Sequence, residues 1–166
     1  MDDFYEEPQA VRQFALAQEF DTGGIGKPYI GKRTFKQFLF PGLKERFEEI
    51  MDHDIVAWES HGMNGRFQTA FAGDPLVYHC DLQRWAAMIY LTPGAPYHCG
   101  TSLFAHRETK VRHQRDPISH EVFDERCFLD KTPYDTVDVL GNVFNRLVIM
   151  DAGCIHSASE YFGFNK

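Results

Sequence analysis

The chain has 166 residues, enough for one domain with a real core and too few for two typical domains. Hydrophobic content of 43% and charged content of 25% are those of an ordinary globular protein. A net charge of −7 argues against a nucleic-acid-binding surface, and no apolar run approaches the length needed to span a membrane.

Two helices are predicted first. Pro8 suits a first helical position, and Val11, Phe14, Ala15 and Gln18 fall on one stripe from there to about Phe20. Gly23, Gly24, Gly26 and Pro28 then break the pattern and read as a flexible turn; nothing strand-like precedes them, as a phosphate-binding loop would require. A second helix follows Pro41, with Leu43, Phe47, Ile50 and Met51 on its apolar side and Lys44, Glu45, Glu48 and Glu49 on a solvated one.

From about Asp54 the signals are β. Residues 55–58, 65–72, 76–80, 85–91, 101–105 and 146–150 are short apolar or alternating runs. Turn residues punctuate them, as at Asn64-Gly65, Gly73-Asp74-Pro75, Thr92-Pro93-Gly94 and Gly141-Asn142. Residues 106–142 are long and polar and read as an insert, either a functional lid or an unstructured excursion, with a short helix near 119–128. The expected fold is mainly β with amino-terminal helices: a helical part over 1–53 and a sandwich or barrel over 54–166, in one domain. An aromatic content of 14%, with 15 Phe, suits a wide sheet-lined interior.

The cysteines Cys80, Cys99, Cys127 and Cys154 are scattered without a CxxC pair. That spacing points neither to structural zinc nor to a disulfide framework, and reduced thiols in a cytoplasmic setting are the simpler expectation. The acidic start Met1-Asp2-Asp3 is unlike a secretion signal.

The most informative chemistry is His79-Cys80-Asp81, followed far downstream by His156 in Gly-Cys-Ile-His-Ser. Two imidazoles and a carboxylate are the ligand set that holds non-haem Fe(II) while leaving coordination positions open. On a strand, alternate side chains share a face, so His79 and Asp81 can enter one cavity while Cys80 points away. A lone H-x-D arises easily by chance in a chain with 8 histidines. Here the strand-like run Arg146-Leu147-Val148-Ile149-Met150-Asp151 leads toward a third ligand, His156, and that context raises the signal.

Several stretches together resemble a known family. They are Val77-Tyr78-His79-Cys80-Asp81, then Trp85 to Pro93, Gly100-Thr101-Ser102-Leu103-Phe104, and Asn145 to Asp151 with His156-Ser157. Asp3 to Pro8, Ala10-Val11-Arg12 and Gly31-Lys32-Arg33-Thr34 add a fainter likeness. The pattern resembles the Fe(II)/2-oxoglutarate-dependent dioxygenases, in the branch of prolyl 4-hydroxylases and phytanoyl-CoA hydroxylases with its bacterial and phage-encoded members.

The resemblance implies a double-stranded β-helix, a jelly-roll or cupin-like barrel, with the metal near its open end. It makes His79 and Asp81 ligands from the second core strand and His156 the ligand from the seventh. It places Tyr90 and Thr101 in the 2-oxoglutarate pocket, and it leaves His98 and His106 as surface or loop residues and Arg146 as structural. Such enzymes consume 2-oxoglutarate and O2, release succinate and CO2, and hydroxylate a C–H bond. A peptidyl (prolyl-type) side chain or a small molecule is the expected substrate.

The likeness departs from the family at one point. A basic residue on the eighth strand pairs with the distal carboxylate of 2-oxoglutarate, because a buried carboxylate needs a charged partner. Here only Lys166, the last residue, falls at the corresponding distance. The expectation is that the final strand is missing, with an exposed sheet edge that favours a homo-oligomer. The rival reading is a catalytically inactive β-helix binding or structural module, of the phage-associated kind, and the same ligands accept Zn2+ or Ni2+. A cupin-type enzyme fits less well, because His98 and His106 do not form the clustered H-x-H such sites use.

Overall fold

A computed structural model describes residues 1–21, 31–122 and 129–164. The predicted glycine-rich turn around Gly23 to Pro28, the second half of the helix near 119–128, Cys127 and Lys166 lie outside these residues.

The elements in chain order are α1 (Pro8–Leu16), β1 (Lys32–Arg33), α2 (Leu43–Met51), β2 (Gln68–Thr69), β3 (Trp85–Ile89), β4 (Thr101–His106), α3 (Ser119–Val122), β5 (Tyr134–Leu140), β6 (Leu147–Asp151) and β7 (His156–Ala158). Both predicted amino-terminal helices are present. Pro8 opens α1, where its missing N–H would be unbonded anyway. Gly42, at φ +79°, lets the chain turn sharply into α2, a conformation that favours glycine.

The strands form three antiparallel sheets: β1–β2, β3–β6 and β5–β4–β7. Among the described residues these do not close into a barrel. In the second sheet, Met88 pairs with Val148 and Ala86 with Met150, while Ile89 pairs with Leu147 and Ala87 with Ile149. Strand alternation therefore gives this sheet two distinct faces. Ile89, Leu147 and Ile149 pack with Phe4, Phe47, Leu43, Ile50 and Met51, so the amino-terminal segment and α2 cover that face. Met88, on the other face, turns toward β4: Thr101 Oγ1 lies 3.5 Å from its sulfur.

The third sheet is double-faced as well. Tyr78, Phe104, Val111, Val122, Tyr134 and Ile155 form a buried cluster on one side. On the opposite side Leu103 pairs with His156 and Thr101 with Ala158. His79 extends this sheet by one rung, bridging to His156 in antiparallel sense. Thr101 and His156 thus share the face of this sheet that meets Met88 of the other, with apolar packing behind each sheet.

Several strand expectations change, and the run at 65–72 forms only the two-residue β2. Residues 55–58 form no strand; Ile55 and Trp58 pack against the cluster around Phe47 instead. The insert at 106–142 contains the longest strand among the described residues, β5, paired with β4 with a register shift between Leu103 and Phe104. Val137 and Val139 of β5 are exposed, and with Asp138 between them and Asp135 before them an edge strand reads as a polar loop. Residues 76–80 make only the single rung at His79.

Candidate metal centre

The backbone creates this site. His79 and His156 form a hydrogen-bonded antiparallel pair, with His79 N–H donating to the His156 carbonyl at 3.1 Å and His156 N–H to the His79 carbonyl at 2.9 Å. Their side chains therefore emerge side by side, with ring centroids 4.3 Å apart. Asp81, two residues from His79, reaches both: Oδ1 is 3.7 Å from His79 Nε2 and Oδ2 is 3.5 Å from His156 Nε2. The three predicted ligands are brought together, with ligand atoms all within 4.8 Å of one another.

The hydrogen bonds also choose the tautomer. His79 Nδ1 lies 3.0 Å from the Val77 carbonyl and His156 Nδ1 lies 2.8 Å from the Cys154 carbonyl. A carbonyl only accepts, so each Nδ1 carries a proton and leaves Nε2, on the Asp81 side, as the nitrogen through which an ion would be held. This is how metal-binding histidines are oriented: the outer nitrogen is tied to the backbone and the inner one is left for the ion.

Electrostatics favour the same arrangement. Burial and the neighbouring His156 hold the His79 imidazole below its ordinary value, against the opposing pull of the Val77 bond and Asp81; Arg33 lowers it further. Burial works against the charge on Asp81, yet the contact with His156 and the fields of both imidazoles leave its carboxyl below the usual range. The geometry thus offers two imidazole lone pairs and one carboxylate, a donor set that fits a divalent ion of the iron, zinc or nickel type. Cys80 takes no part. Burial first, then Cys154, pushes its thiol up to about 12, and it packs against the cluster behind the sheet.

A strap from the long polar segment secures both ligand strands. Gln114 Nε2 donates to the Asp81 carbonyl at 2.8 Å, while its backbone N–H donates to the Gly153 carbonyl at 2.8 Å. Asp81 N–H itself donates to the Ala152 carbonyl at 2.8 Å. Sequence reasoning passed over Gln114, because one amide in a polar stretch carries no recognisable pattern.

The strap also brings His113, Asp151 and Cys154 within ligand distance of one another. Here the hydrogen bonds argue against a metal. Arg115 N–H donates to His113 Nδ1 at 2.9 Å, so the ring proton sits on Nε2, which lies 3.1 Å from Asp151 Oδ1. The imidazole donates to a carboxylate and has no lone pair to offer at that nitrogen.

Tyr90 and Thr101 meet each other: their hydroxyls are 2.9 Å apart, linking the end of β3 to the start of β4. Thr101 is two residues from Leu103, the partner of His156, and so shares its face roughly 7 Å along the strand. His106 turns to Thr109, with Nδ1 2.9 Å from its hydroxyl, and Arg146 pairs with Asp2, Nη2 to Oδ2 at 2.9 Å. Lys166 lies outside the described residues. No protein-family model, curated protein or solved structure matches this chain. No helix among the described residues is long and apolar enough to cross a membrane.

Proposed function

We propose that this protein is an Fe(II)- and 2-oxoglutarate-dependent dioxygenase that hydroxylates a C–H bond of a peptidyl (prolyl-type) or small-molecule substrate. The observation that carries the reading is the tautomer-ordered triad. Two Nε2 lone pairs and a carboxylate face one point between two sheets, while both Nδ1 atoms are committed to the backbone.

The strand pairing supports a double-stranded β-helix. If the His79 stretch is the second core strand, β3 to β7 are the third to seventh, and His156 falls on the seventh as the family pattern requires. The third pairs with the sixth, and the fifth, fourth, seventh and second lie in that order in the other sheet. That is a two-sheet arrangement with crossovers, as in a jelly roll.

Within this reading each residue has a task. His79, Asp81 and His156 would hold the ion through two nitrogens and one oxygen, and iron held there would supply activation of O2 at the expense of 2-oxoglutarate. Tyr90 and Thr101 present hydroxyls on the ligand-bearing face; one donates to the other, so the accepting hydroxyl keeps its own proton for a co-substrate carboxylate. Arg33, whose charge reaches His79, adds a positive field on that side of the centre.

The test is turnover. The full chain, loaded anaerobically with Fe(II) and then given O2 and 2-oxoglutarate, is expected to form succinate, and Asp81→Ala to abolish both iron retention and succinate formation. Stoichiometric iron binding without succinate would leave the inactive binding module as the better reading. Succinate formation undiminished in Asp81→Ala would overturn the ligand assignment.

A further inference from the structure

A second group of metal-ligating side chains lies farther along the same strand pair. His98, Cys99 and Glu160 bring an imidazole nitrogen, a thiol sulfur and a carboxylate oxygen within 4.8 Å of one another. The group shares no residue with the triad, and Glu160 lies four residues beyond His156.

Local structure explains the convergence. Cys99 N–H donates to the Pro96 carbonyl at 2.9 Å, closing a four-residue turn. Inside a turn, neighbours do not alternate as on a strand, so His98 and Cys99 can serve one point. The turn is anchored from behind: Asn142 Nδ2 donates to the Cys99 carbonyl at 2.9 Å, and Asn142 N–H to the Tyr97 carbonyl at 2.9 Å. Next to it Gly100 presses on β5 so closely that a Cβ would stand 1.9 Å from the Leu140 oxygen. Glu160 is brought in by the continuation of the β4–β7 ladder, where Ser159 N–H donates to the Gly100 carbonyl at 2.9 Å and the Ser102 and Ser159 hydroxyls lie 2.7 Å apart.

We infer that His98, Cys99 and Glu160 form a binding site for a single divalent ion of the zinc class, separate from the triad. The donor chemistry selects the ion. A sulfur beside a nitrogen and an oxygen suits Zn2+ or Co2+ and disfavours Mg2+ and Ca2+, which take oxygen ligands. The geometry suits a tetrahedral ion as well: His98 Nε2 and Glu160 Oε2 are 3.4 Å apart, and bonds of about 2.0–2.1 Å in a tetrahedron place two ligands about 3.4 Å apart. Water completes the coordination in the fourth position.

Cys99 is the deciding residue. It is only 5% exposed, yet it sits beside an imidazole and a carboxylate that are 70% and 64% exposed. A simple surface ion pair between His98 and Glu160 has no use for a sulfur beneath it. Binding replaces the S–H bond of Cys99 with an S–metal bond and releases one proton to solvent. The oxygen Oδ1 of Asn142, on the same amide that holds Cys99, is buried without a partner among the described residues and leaves an acceptor nearby. An ion here would tie the turn before β4 to the chain leaving β7, the strand that carries His156. The absence of a CxxC pair hides the site in the sequence, because its ligands come from one turn and a distant strand end.

The inference does not depend on the oxygenase reading, and its test measures no turnover. The full chain carrying Asp81→Ala, which disables the triad, is titrated anaerobically with Co2+ as the probe. One equivalent is expected to bind with a sulfur-to-cobalt charge-transfer band in the near ultraviolet. Cys99→Ser should abolish the band, and the surface changes His98→Gln and Glu160→Gln, which leave the core untouched, should each weaken binding about tenfold or more. A missing band at one equivalent, a band that survives Cys99→Ser, surface variants that bind as tightly as the parent, or binding only in large excess (an adventitious ion only) would overturn it.

Discussion

The backbones of His79 and His156 exchange two hydrogen bonds, so two imidazoles far apart in sequence become neighbours through main-chain pairing alone. The carboxylate of Asp81 is placed less directly. Its carbonyl is held by Gln114 and its N–H by the Ala152 carbonyl. Gln114→Ala removes the first of these holds without touching the triad. We expect metal affinity to fall about 10–100-fold while the unfolding temperature stays close to that of the parent, as measured by Mn2+ or Fe(II) titration beside a thermal melt. An equal loss of stability and affinity would assign Gln114 a purely structural role.

Gly100 and Gly141 give a contrast that separates backbone clash from side-chain clash. A Cβ at Gly100 would stand 1.9 Å from the Leu140 carbonyl oxygen, which belongs to the β4–β5 ladder and cannot yield. A Cβ at Gly141 would meet the ring of Tyr97 at 2.2 Å, but that ring is 62% exposed and can swing out. Gly100→Ala should therefore abolish folding or cost several times what Gly141→Ala costs, read as the difference in urea midpoint.

How much of this was legible in the sequence depends on where each element gets its stability. Helices α1 and α2 carry their own signals, a proline at the start and an apolar stripe, so both were readable from residues alone. The β3, β4 and β6 runs were readable because their apolar residues face packed neighbours. Strand β5 was not, since its valines face outward and its register depends on a partner 28 to 39 positions earlier. The triad was legible because H-x-D has a fixed local geometry, with the second histidine on a short run after an apolar strand. The link between Tyr90 and Thr101, the strap through Gln114 and the meeting of His98 with Glu160 depend on contacts between separate strands, and no local pattern marks them.

Ile155 tests the packing behind the site. It is 0% exposed, lies beside His156 in sequence and packs with Tyr78, Phe104 and Tyr134. Truncation to Ala should cost about 2–5 kcal/mol and to Val about 0.5–1.5 kcal/mol, measured by denaturant unfolding. Because the same backbone carries the ligand, Ile155→Ala should also weaken metal binding, whereas Ile155→Val should leave it nearly unchanged.

Acid should loosen the strap. Burial opposes the charge on Asp151, but the Gly153 N–H at 2.9 Å and His113 Nε2 at 3.1 Å outweigh it and hold the carboxyl below its usual range. Asp116 is held low by the Arg112 N–H first and by the His113 N–H as well. Both folded values lie below the unfolded one, so the unfolded chain binds more protons as pH falls. The stability these groups contribute is fully present above the unfolded value of 3.8 and is lost as pH drops through their lowered folded values. Asp151→Asn should therefore be less stable than the parent at about pH 6, and the gap should close toward about pH 2.5, when the parent carboxyl is protonated too. Urea midpoints across that range decide the matter: a gap that stays constant with pH would mean that the charge of Asp151 does not stabilise the strap.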